Sequence, residues 1–445
     1  MPSVSPPSPS HPAKFGGASE NGLWLVVLAG CFILLEAALI NGSLALLHQE
    51  SILFDLRRFL AMRADQDSWG PMASAYDWYK SRQAGTIYQE IFFGQHVKFQ
   101  YSPTSLLPFA LADRLGVDFS LSRFNAIGWL SVVIEMAAVA ALAMISGKRA
   151  GVLGDSPVAA AASAVVAALA CFVFYPVLKA YGLGQIQTWI NAAFALACLC
   201  WITERKAAAG VLVGAICLLK PQFGLFLIWG ALRREWGFLA GWAAIVLPGL
   251  AASVAIFGLD DHLDYIKVLQ FIAARGEAFY TNFTVNGLVN RALGNGDNLH
   301  FHADEFAPYN AIVYGTTFVT SAVLVLAALL WDVRRRATDP LDFLIAGLIF
   351  TVASPIAWVH HFGILPPIFV ILFFAIAALP DAASRRFLLA ALAVAFVLTA
   401  NYFYNFVTAI AATPFNFLES YVFFAALILL ALLYRLRRVL PALGY

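Results

Sequence analysis

Long apolar runs separated by short polar turns fill the chain from Trp24 onward. Most of them approach the roughly 20 residues that an α-helix needs to cross a bilayer. They occupy about 24–47, 124–146, 156–177, 185–203, 207–219, 221–232, 237–257, 309–331, 341–353, 362–379, 386–404 and 418–434. The runs at 207–219 and 221–232 are short, and Lys220-Pro221 between them is compatible with a re-entrant pair. The pattern predicts an all-α, polytopic transmembrane helical bundle of ten to twelve spans.

Composition narrows the class further. Of the 445 residues, 61% are hydrophobic and 12% are charged, whereas a soluble protein has about 45–50% apolar and 25% charged residues. Such a chain cannot cover itself with a polar surface, which excludes a cytosolic enzyme and a disordered scaffold. Twenty-eight basic against 26 acidic residues give a net charge of +2. That charge is too small for the basic surface of a nucleic-acid-binding protein.

Basic residues in the short turns predict the orientation of the bundle. They fall at alternate turns, at Lys148-Arg149, Arg205-Lys206, Arg233-Arg234, Arg334-Arg335-Arg336, Arg385-Arg386 and Arg435/Arg437/Arg438. The positive-inside rule places these turns and both termini in the cytoplasm, so two long loops, about 48–123 and 258–308, lie outside. Residues 1–22, rich in Ser, Pro and Gly, are predicted to be a disordered cytoplasmic tail without a cleavable signal peptide. Residues 23–445 are predicted to form a single integral-membrane domain.

Acids, amides and imidazoles gather on the predicted outer face, whereas the inner face offers only Arg-rich turns. A protein with a purely structural role has no reason for this sorting. We therefore expect chemistry on the extracytoplasmic side. The basic turns and the absence of a targeting peptide favour a bacterial inner membrane, and in an endoplasmic-reticulum protein the same face would lie in the lumen.

The first outer loop combines acids with an aromatic-rich stretch. Its aromatic residues predict interfacial helices with rings at headgroup depth: Trp69, Tyr76, Trp78, Tyr79, Phe92, Phe93 and Phe99. An acid held against such a surface is partly desolvated, which raises its basicity and suits it to accept a proton. Asp65, Asp67 and Asp77 are the acids concerned, although a loop acid is also often a helix N-cap or simply solvated.

Further polar residues stand at the mouths of predicted spans. Gln185 could hydrogen-bond sugar hydroxyls or a phosphate, and it could equally begin a helix. Lys220 must reach outward to water or find an anion, because an isolated charge at membrane depth costs on the order of several kcal/mol. In the second outer loop, Asn282, Asn286 and Arg291 could form a polar pocket wall, since the guanidinium fork matches phosphate oxygens.

The last motif is Ser354-Pro-Ile-Ala-Trp358-Val-His360-His361, between two spans on the outer side. Paired imidazoles at an aromatic-lined mouth can bind a phosphodiester or steady a leaving group, and such pairs also occur there without a chemical role. The stretch His300-Phe-His302-Ala-Asp304 lacks further ligands. No metal site is therefore predicted.

In this order, the motifs resemble those of glycosyltransferase family 87, membrane enzymes of the GT-C superfamily that use polyprenyl-phosphate sugars. The matching pieces cover roughly residues 65–365. In the first outer loop they are an acid before Ala84-Gly-Thr-Ile-Tyr88, and then Phe99-Gln-Tyr101-Ser-Pro103. Further along the chain they are Gly184-Gln185, Ala209-Gly210 running to Leu219-Lys220-Pro221, Asn282 with Asn286-Gly287 and Arg291, and Ser354-Pro-Ile-Ala-Trp358-Val-His360-His361. The Ser-Pro…Trp…His-His block and the Gly-Gln and Lys-Pro pairs are the most specific.

The resemblance implies a GT-C type of fold and transfer of a hexose, typically mannose, from a polyprenyl-phosphate sugar to a hydroxyl of a glycan or glycolipid acceptor on the outer face. It gives the role of general base to Asp67. The spacing from Asp67 to Gly85 is a few residues longer than is common, which leaves Asp65 or Asp77 open. It implies that the donor phosphate is held by Lys220, Arg291, His360 and His361, and the sugars by Gln185, Asn282, Asn286, Tyr101 and Trp358.

The expected reaction is a single inverting displacement in which the acceptor oxygen attacks the anomeric carbon and the lipid phosphate departs. No nucleotide is needed, in keeping with the lack of a Gly-rich phosphate loop. No metal or other cofactor is expected, because cationic side chains can meet the developing charge. The alternatives are a transporter or flippase of lipid-linked sugars, another GT-C chemistry (arabinosyl or glucosyl transfer, or an oligosaccharide ligase), and a non-catalytic scaffold. The sequence has no convincing internal repeat of the kind common in transporters.

Overall fold

A computed structural model describes residues 18–47, 51–81, 84–117, 120–331 and 339–439, and helices dominate all of them. Within these ranges the only β-type pairing is one isolated antiparallel bridge, between Asn282 and Trp358. The predicted all-α class is confirmed. Residues 1–17 of the predicted tail and the turn at Arg334-Arg335-Arg336 lie outside the described residues, and the first helix begins at Ala18 rather than near Trp24.

Nineteen α-helices occur in the described part of the chain. They are α1 (Ala18–Leu46), α2 (Ile52–Leu60), α3 (Trp69–Ser81), α4 (Leu107–Arg114), α5 (Leu121–Arg149), α6 (Pro157–Phe172), α7 (Tyr175–Gly182), α8 (Gln187–Ile202), α9 (Lys206–Leu219), α10 (Leu225–Arg233), α11 (Trp236–Phe257), α12 (Leu259–Arg275), α13 (Val285–Ala292), α14 (Ala311–Leu330), α15 (Pro340–Val352), α16 (Leu365–Ala377), α17 (Ala382–Ala400), α18 (Tyr404–Ile410) and α19 (Tyr421–Val439). Shorter helical turns are the π turn Tyr88–Gly94 and the 3₁₀ turns Pro103–Leu106, Pro221–Gly224, Val359–Ile364 and Asn416–Ser420.

Seven of the described helical segments are long and apolar enough to cross a membrane, which makes the chain an integral, multi-pass membrane protein. They are Asn21–Leu46, Leu121–Arg149, Trp236–Phe257, Ala311–Leu330, Val359–Ala377, Ala382–Ala400 and Asn416–Arg438. Helices α6 and α7 form an eighth span if the pair is counted as one, with a bend of 51° between them. Three shorter apolar helices are α8, α9 and α15. The total reaches the predicted ten if all three also cross, or if two of them cross and the bent pair counts as one span.

The predicted break at Lys220-Pro221 is present. Helix α9 ends at Leu219, Lys220 adopts an extended conformation, and the 3₁₀ turn follows because Pro221 cannot continue the hydrogen bonding of a helix. Helix α10 then has only nine residues and is about 14 Å long at 1.5 Å per residue, too short to cross. Lys220 therefore stands at the tip of a broken helical segment.

The two long outer loops fold together as helices, and this corrects the expectation for their aromatic residues. Trp69 is 1% exposed and Phe99 is 0% exposed, in a second apolar core formed by α3, the π turn, α4 and α12. Other rings of the protein cover them: Trp69 stacks on Phe124 of α5 with centroids 4.6 Å apart, and Phe99 stacks on Tyr88 of the π turn with centroids 5.5 Å apart. At the edge of this core, Asp264 accepts a hydrogen bond from Thr86 Oγ1 (2.6 Å) and joins the two loops.

Basic residues of the predicted inner turns meet at one end of the bundle. Arg233, at the end of α10, pairs with Asp342 near the start of α15, and Arg437 Nη1 of α19 lies 2.9 Å from Asp342 Oδ1. The opposite ends of α10 and α15 lead to the turns at Lys220–Gln222 and Ser354–Ile356. The cation cluster and those turns are thus separated by the lengths of the two helices.

Candidate active site

A cavity of about 870 Å³ lies at these turns, where the outer loops meet the ends of the helices. Seven of the ten predicted site residues line it, namely Asp67, Tyr101, Gln185, Lys220, Trp358, His360 and His361. Its volume is in the range typical of sites for small organic ligands. The chain folds so that one candidate base and several cationic or imidazole side chains open into a single space.

The backbone of the first outer loop positions Asp67 against the turn that follows α7. Asp65 N donates to Gly182 O (2.9 Å), and Asp67 N donates to Leu183 O (2.9 Å). Gly184 has a φ of +67°, and a Cβ at this position would lie 1.9 Å from Asp65 O. A side chain at 184 would therefore push the loop away, which gives a physical reason for glycine in Gly184-Gln185.

The Asp67 carboxylate is part of a hydrogen-bond network. Gln185 Nε2 donates to Asp67 Oδ2 (2.5 Å), and Gln185 Oε1 accepts from Ser68 Oγ (2.6 Å) and Tyr101 OH (3.1 Å). The Asp67 side chain is accessible from the cavity that it lines. Partial desolvation by the surrounding protein raises the pKa of Asp67, and the Gln185 hydrogen bond opposes part of that rise. A carboxylate held in this way is a better proton acceptor than a solvated one.

The other two acids of the first loop have different surroundings. Asp65 also lines the cavity, but its carboxylate receives two hydrogen bonds from Arg58, of 2.5 and 2.8 Å. Asp77 is exposed on α3 and is not among the residues that line the cavity. The guanidinium thus occupies both oxygens of the Asp65 carboxylate. The geometry therefore favours Asp67 over Asp65 and Asp77 as a proton acceptor at this cavity.

A pocket of one lysine and two imidazoles occupies another part of the cavity wall. Lys220 is 9% exposed, and its Nζ donates to Gln187 Oε1 (2.5 Å). The His360 and His361 rings lie edge to face with centroids 4.7 Å apart. Both ring nitrogens of the buried His360 lack a hydrogen-bond partner among the described residues, as does His361 Nδ1. Since buried polar groups normally find partners, these nitrogens are free to bind a ligand.

Two lysines of the cavity wall had not been predicted from the sequence. Lys98 Nζ lies 3.1 Å from Glu277 Oε2 and donates to His302 O (2.7 Å). Burial lowers the pKa of Lys98, and the Glu277 carboxylate counteracts that effect. Lys179, on α7, stands 4.0 Å from an Asp55 carboxylate oxygen. For Lys98 the sequence does contain a sign of a functional role, because the lysine stands in the otherwise aromatic motif Lys98-Phe-Gln-Tyr101. Lys179 follows an apolar run and belongs to no motif.

Arg291 and Asn286 do not line the cavity, which disagrees with their predicted roles in binding phosphate and sugar. Arg291 is 1% exposed, donates to Ser420 Oγ (2.5 Å) and pairs with Glu419 at 3.5 Å. Asn286 Oδ1 accepts from Glu277 N (3.1 Å), and its Nδ2 donates to Thr317 Oγ1 (3.2 Å). Both side chains are buried and bonded to protein groups, so they hold α13 to its neighbours.

Asn282 also lies behind the cavity wall instead of in it. Its Oδ1 accepts from Ala357 N (3.0 Å), and its Nδ2 donates to Pro355 O (3.2 Å). These bonds fix the segment that carries Trp358 and leads into the 3₁₀ turn of the two histidines. Asn282 is therefore placed to position the cavity wall, and it is not among the residues that line the cavity.

No three His, Cys, Asp or Glu side chains come together as a possible metal site within the described ranges. The two histidines of the stretch 300–304 lie near one aspartate: His300 Nδ1 is 3.0 Å from Asp297 Oδ2, and His302 Nε2 is 3.6 Å from the same oxygen. All three side chains are solvent-accessible.

Fold and cavity together define a class, the multi-pass membrane proteins with a cavity at one end of the helical bundle that combines a carboxylate with a pocket of one lysine and two imidazoles. Comparison of the sequence with protein families then makes the assignment specific. The chain belongs to glycosyltransferase family 87, whose model matches residues 99–355, more than half of its length. Lys220 and Gln185 fall inside the matched range, while Asp67 precedes it and His360 follows it.

Two relatives are similar to part of the chain. Both are polyprenol-phosphate-mannose-dependent alpha-(1-2)-phosphatidylinositol pentamannoside mannosyltransferases. The protein from Mycolicibacterium smegmatis is 30% identical over 201 residues, 43% of this chain and 44% of the relative. The protein from Mycobacterium tuberculosis is 26% identical over 292 residues, 64% of this chain and 62% of the relative. Both matches span less than two thirds of the relatives' own length.

Proposed function

We propose that the protein transfers mannose from a polyprenyl-phosphate mannose donor to a hydroxyl of a glycan or glycolipid acceptor. Family membership and the donor named for both relatives support this reaction class. The observation that supports it most directly is the cavity itself, in which Asp67 and the pocket of Lys220, His360 and His361 share one space. A base and an anion-binding pocket are the two parts that this displacement requires.

In the proposed mechanism, Asp67 accepts the proton of the acceptor hydroxyl as the oxygen attacks the anomeric carbon. The new glycosidic bond forms on the face opposite the leaving group, and the bond from the anomeric carbon to the phosphate oxygen breaks. The configuration inverts, so a β-linked donor gives an α-linked product. Lys220, His360 and His361 stabilise the negative charge that develops on the departing polyprenyl phosphate. The proposal assigns no step to a metal or another cofactor.

We also propose that the cavity faces the extracytoplasmic side, in a bacterial inner membrane. The support is the position of the basic cluster of Arg233 and Arg437 at the other end of α10 and α15, together with the positive-inside rule. In this orientation the sugar donor is used on the side of the membrane where a periplasmic glycan is built.

Asp67→Asn tests the proposed reaction. The amide keeps the shape and can still pack against Gln185, but it cannot accept the proton. We expect transfer of mannose to fall by roughly 10²- to 10⁴-fold. The measurement is mass analysis of the glycosylated product in membranes supplied with a panel of polyprenyl-phosphate sugars.

Asp77→Asn is the matched control, because this acid is exposed on the same loop but outside the cavity, and it should keep near-parental activity. Asp65→Asn tests whether the acid that pairs with Arg58 contributes to the activity. Equal expression and membrane insertion of the variants has to be shown. Full activity of the Asp67→Asn variant would show that another residue is the base. If no donor gives a covalent sugar product, the result would count against a transferase and for a carrier of lipid-linked sugars.

A further inference from the structure

A second, smaller cavity of about 230 Å³ adjoins the main one on the outer side. We call it the outer annex and define it by Phe92, Phe271, Phe306, Arg275, Asp304 and Glu305. His96, Val97, Lys98 and Asp304 line both cavities. These four residues therefore lie between the annex and the main cavity. Its volume is below the roughly 300–1,000 Å³ of sites for drug-sized ligands, which suits one small ring.

The floor of the annex is aromatic. The rings of Phe92, Phe271 and Phe306 contact one another with centroid separations of 5.6 to 5.8 Å. Phe92 is buried, whereas Phe271 and Phe306 are partly exposed to the space above them. A ligand that packs here needs an apolar face of about the size of one ring. The axial C–H groups of a pyranose provide such a face.

Charged side chains surround this floor. The Arg275 guanidinium lies 4.0 Å from the centroid of the Phe271 ring. In the part of the chain that the structure describes, Arg275, Asp304 and Glu305 have no side-chain hydrogen bond or ion pair within hydrogen-bonding distance. Donors and acceptors around an aromatic floor match the vicinal hydroxyls of a sugar. Two carboxylates would repel a phosphate, so the annex suits a neutral polyol better than an anion.

We propose that the outer annex binds a sugar ring of the acceptor next to the ring whose hydroxyl is modified. This inference rests on the proposed function for the identity of the reaction and adds that the preferred acceptor is an oligosaccharide rather than a single sugar. The annex ring packs against Phe306, whose plane stands at 82° to that of Phe271, and exchanges hydrogen bonds with Arg275 and Glu305. The next ring then extends past Lys98 toward Asp67.

The test compares mannotriose with methyl α-mannoside as acceptors, at a saturating concentration of polyprenyl-phosphate mannose. For Arg275→Gln we expect KM for mannotriose to rise about tenfold, the loss of roughly one hydrogen bond to a charged group. KM for the donor and kcat/KM for methyl α-mannoside should not change. Phe306→Leu keeps the apolar volume but removes the stacking surface, and it should have the same selective effect. Arg114→Gln, an exposed arginine of the same outer region, is the control and should change neither acceptor's KM.

A binding measurement separates this proposal from the proposed reaction. Titration calorimetry of the purified, full-length protein with mannotriose, in the absence of donor, should give binding that Arg275→Gln weakens about tenfold. If the parent chain does not bind mannotriose, or if Arg275→Gln affects both acceptors equally, the annex assignment is overturned. If mannotriose binds in this way but no sugar is transferred with any donor, the proposed reaction fails and the annex assignment stands.

Discussion

At the scale of single residues, the chemistry of the cavity depends on the hydrogen bond that Gln185 donates to Asp67. One side-chain amide donates to the carboxylate through Nε2 and is itself oriented by Ser68 and Tyr101 through Oε1. The donated bond favours the charged form of Asp67, while burial favours the neutral form and has the larger effect. Asp67 thus stays more basic than an ordinary aspartate without losing its orientation.

Gln185→Leu should move the pH dependence of the reaction in a definite direction. Activity requires ionised Asp67, so it rises as the pH rises through the pKa of Asp67, which burial already holds above its usual value. Removing the Gln185 hydrogen bond raises that pKa further, so the acid limb of the kcat profile shifts to higher pH. On the acid limb, at a pH below the pKa of Asp67 in the parent, we expect kcat to fall roughly tenfold, the equivalent of one hydrogen bond to a charged group.

The measurement is the pH dependence of kcat for the parent and the variant, at a saturating donor concentration. Gln66→Leu is the matched control, since Gln66 is exposed in the same loop and its side chain does not contact the carboxylate of Asp67. A shift of the acid limb to lower pH in the Gln185 variant, or an unchanged profile, would contradict the role assigned to this amide.

At the scale of helices, the close contact between α9 and α11 sets the position of Lys220. A Cβ added to Gly210 would lie 2.0 Å from Phe238 O, and one added to Gly241 would lie 2.0 Å from Ala207 O. The two backbones approach this closely because glycine lacks a side chain, as in other pairs of membrane helices with small residues at the contact. Helix α9 then ends at Leu219, so this packing determines where Lys220 meets the cavity.

Gly210→Val should separate the two helices. Overpacking of this kind typically costs about 1–3 kcal/mol of stability, and α9 would have to move to relieve the overlap. We expect a lower melting temperature in detergent and reduced transfer activity, because Lys220 moves with its helix. Gly315→Val on α14 is the matched control, since no atom lies within 4 Å of a Cβ added there. Equal melting temperatures for the two variants would show that the α9–α11 contact is not tight.

At the scale of the whole molecule, polar groups are divided between the two ends of the bundle. The basic cluster of Arg233 and Arg437 closes one end around Asp342. The cavity, the outer annex and the two folded loops occupy the other end. Helix α5 has 29 residues and is about 43 Å long at 1.5 Å per residue, so it extends across the full thickness of a membrane.

This division predicts which sites a membrane-impermeant thiol reagent reaches in intact cells. The cysteine introduced by His300→Cys, in the second outer loop, should be labelled from outside. The cysteine introduced by Asp155→Cys, just after the far end of α5, should react only after the membrane is made permeable. Both positions are exposed in the fold, and the parent chain with its five native cysteines is the background control. Labelling of both positions from one side would break the proposed orientation.

Several parts of the fold and site follow from the sequence because they depend on local properties. The length and apolarity of each run indicate the spans, and the basic turns indicate which ends of the helices share a side. Asp67, Lys220 and His360 stand out as polar residues in surroundings that disfavour them. The same reasoning did not separate Arg291 from Lys220, since each is a cation near an apolar run.

The sequence by itself therefore determined the membrane class, the all-helical fold and a set of candidate polar residues. Only the tertiary structure decided which of them share a space. Arg291 meets Ser420, 129 residues further along the chain, and is withdrawn from the cavity. Lys98 and Glu277, from different outer loops, are brought together beside it. Contacts over such separations depend on how the helices pack, because burial and hydrogen-bond partners are properties of the assembled fold and not of the neighbouring sequence.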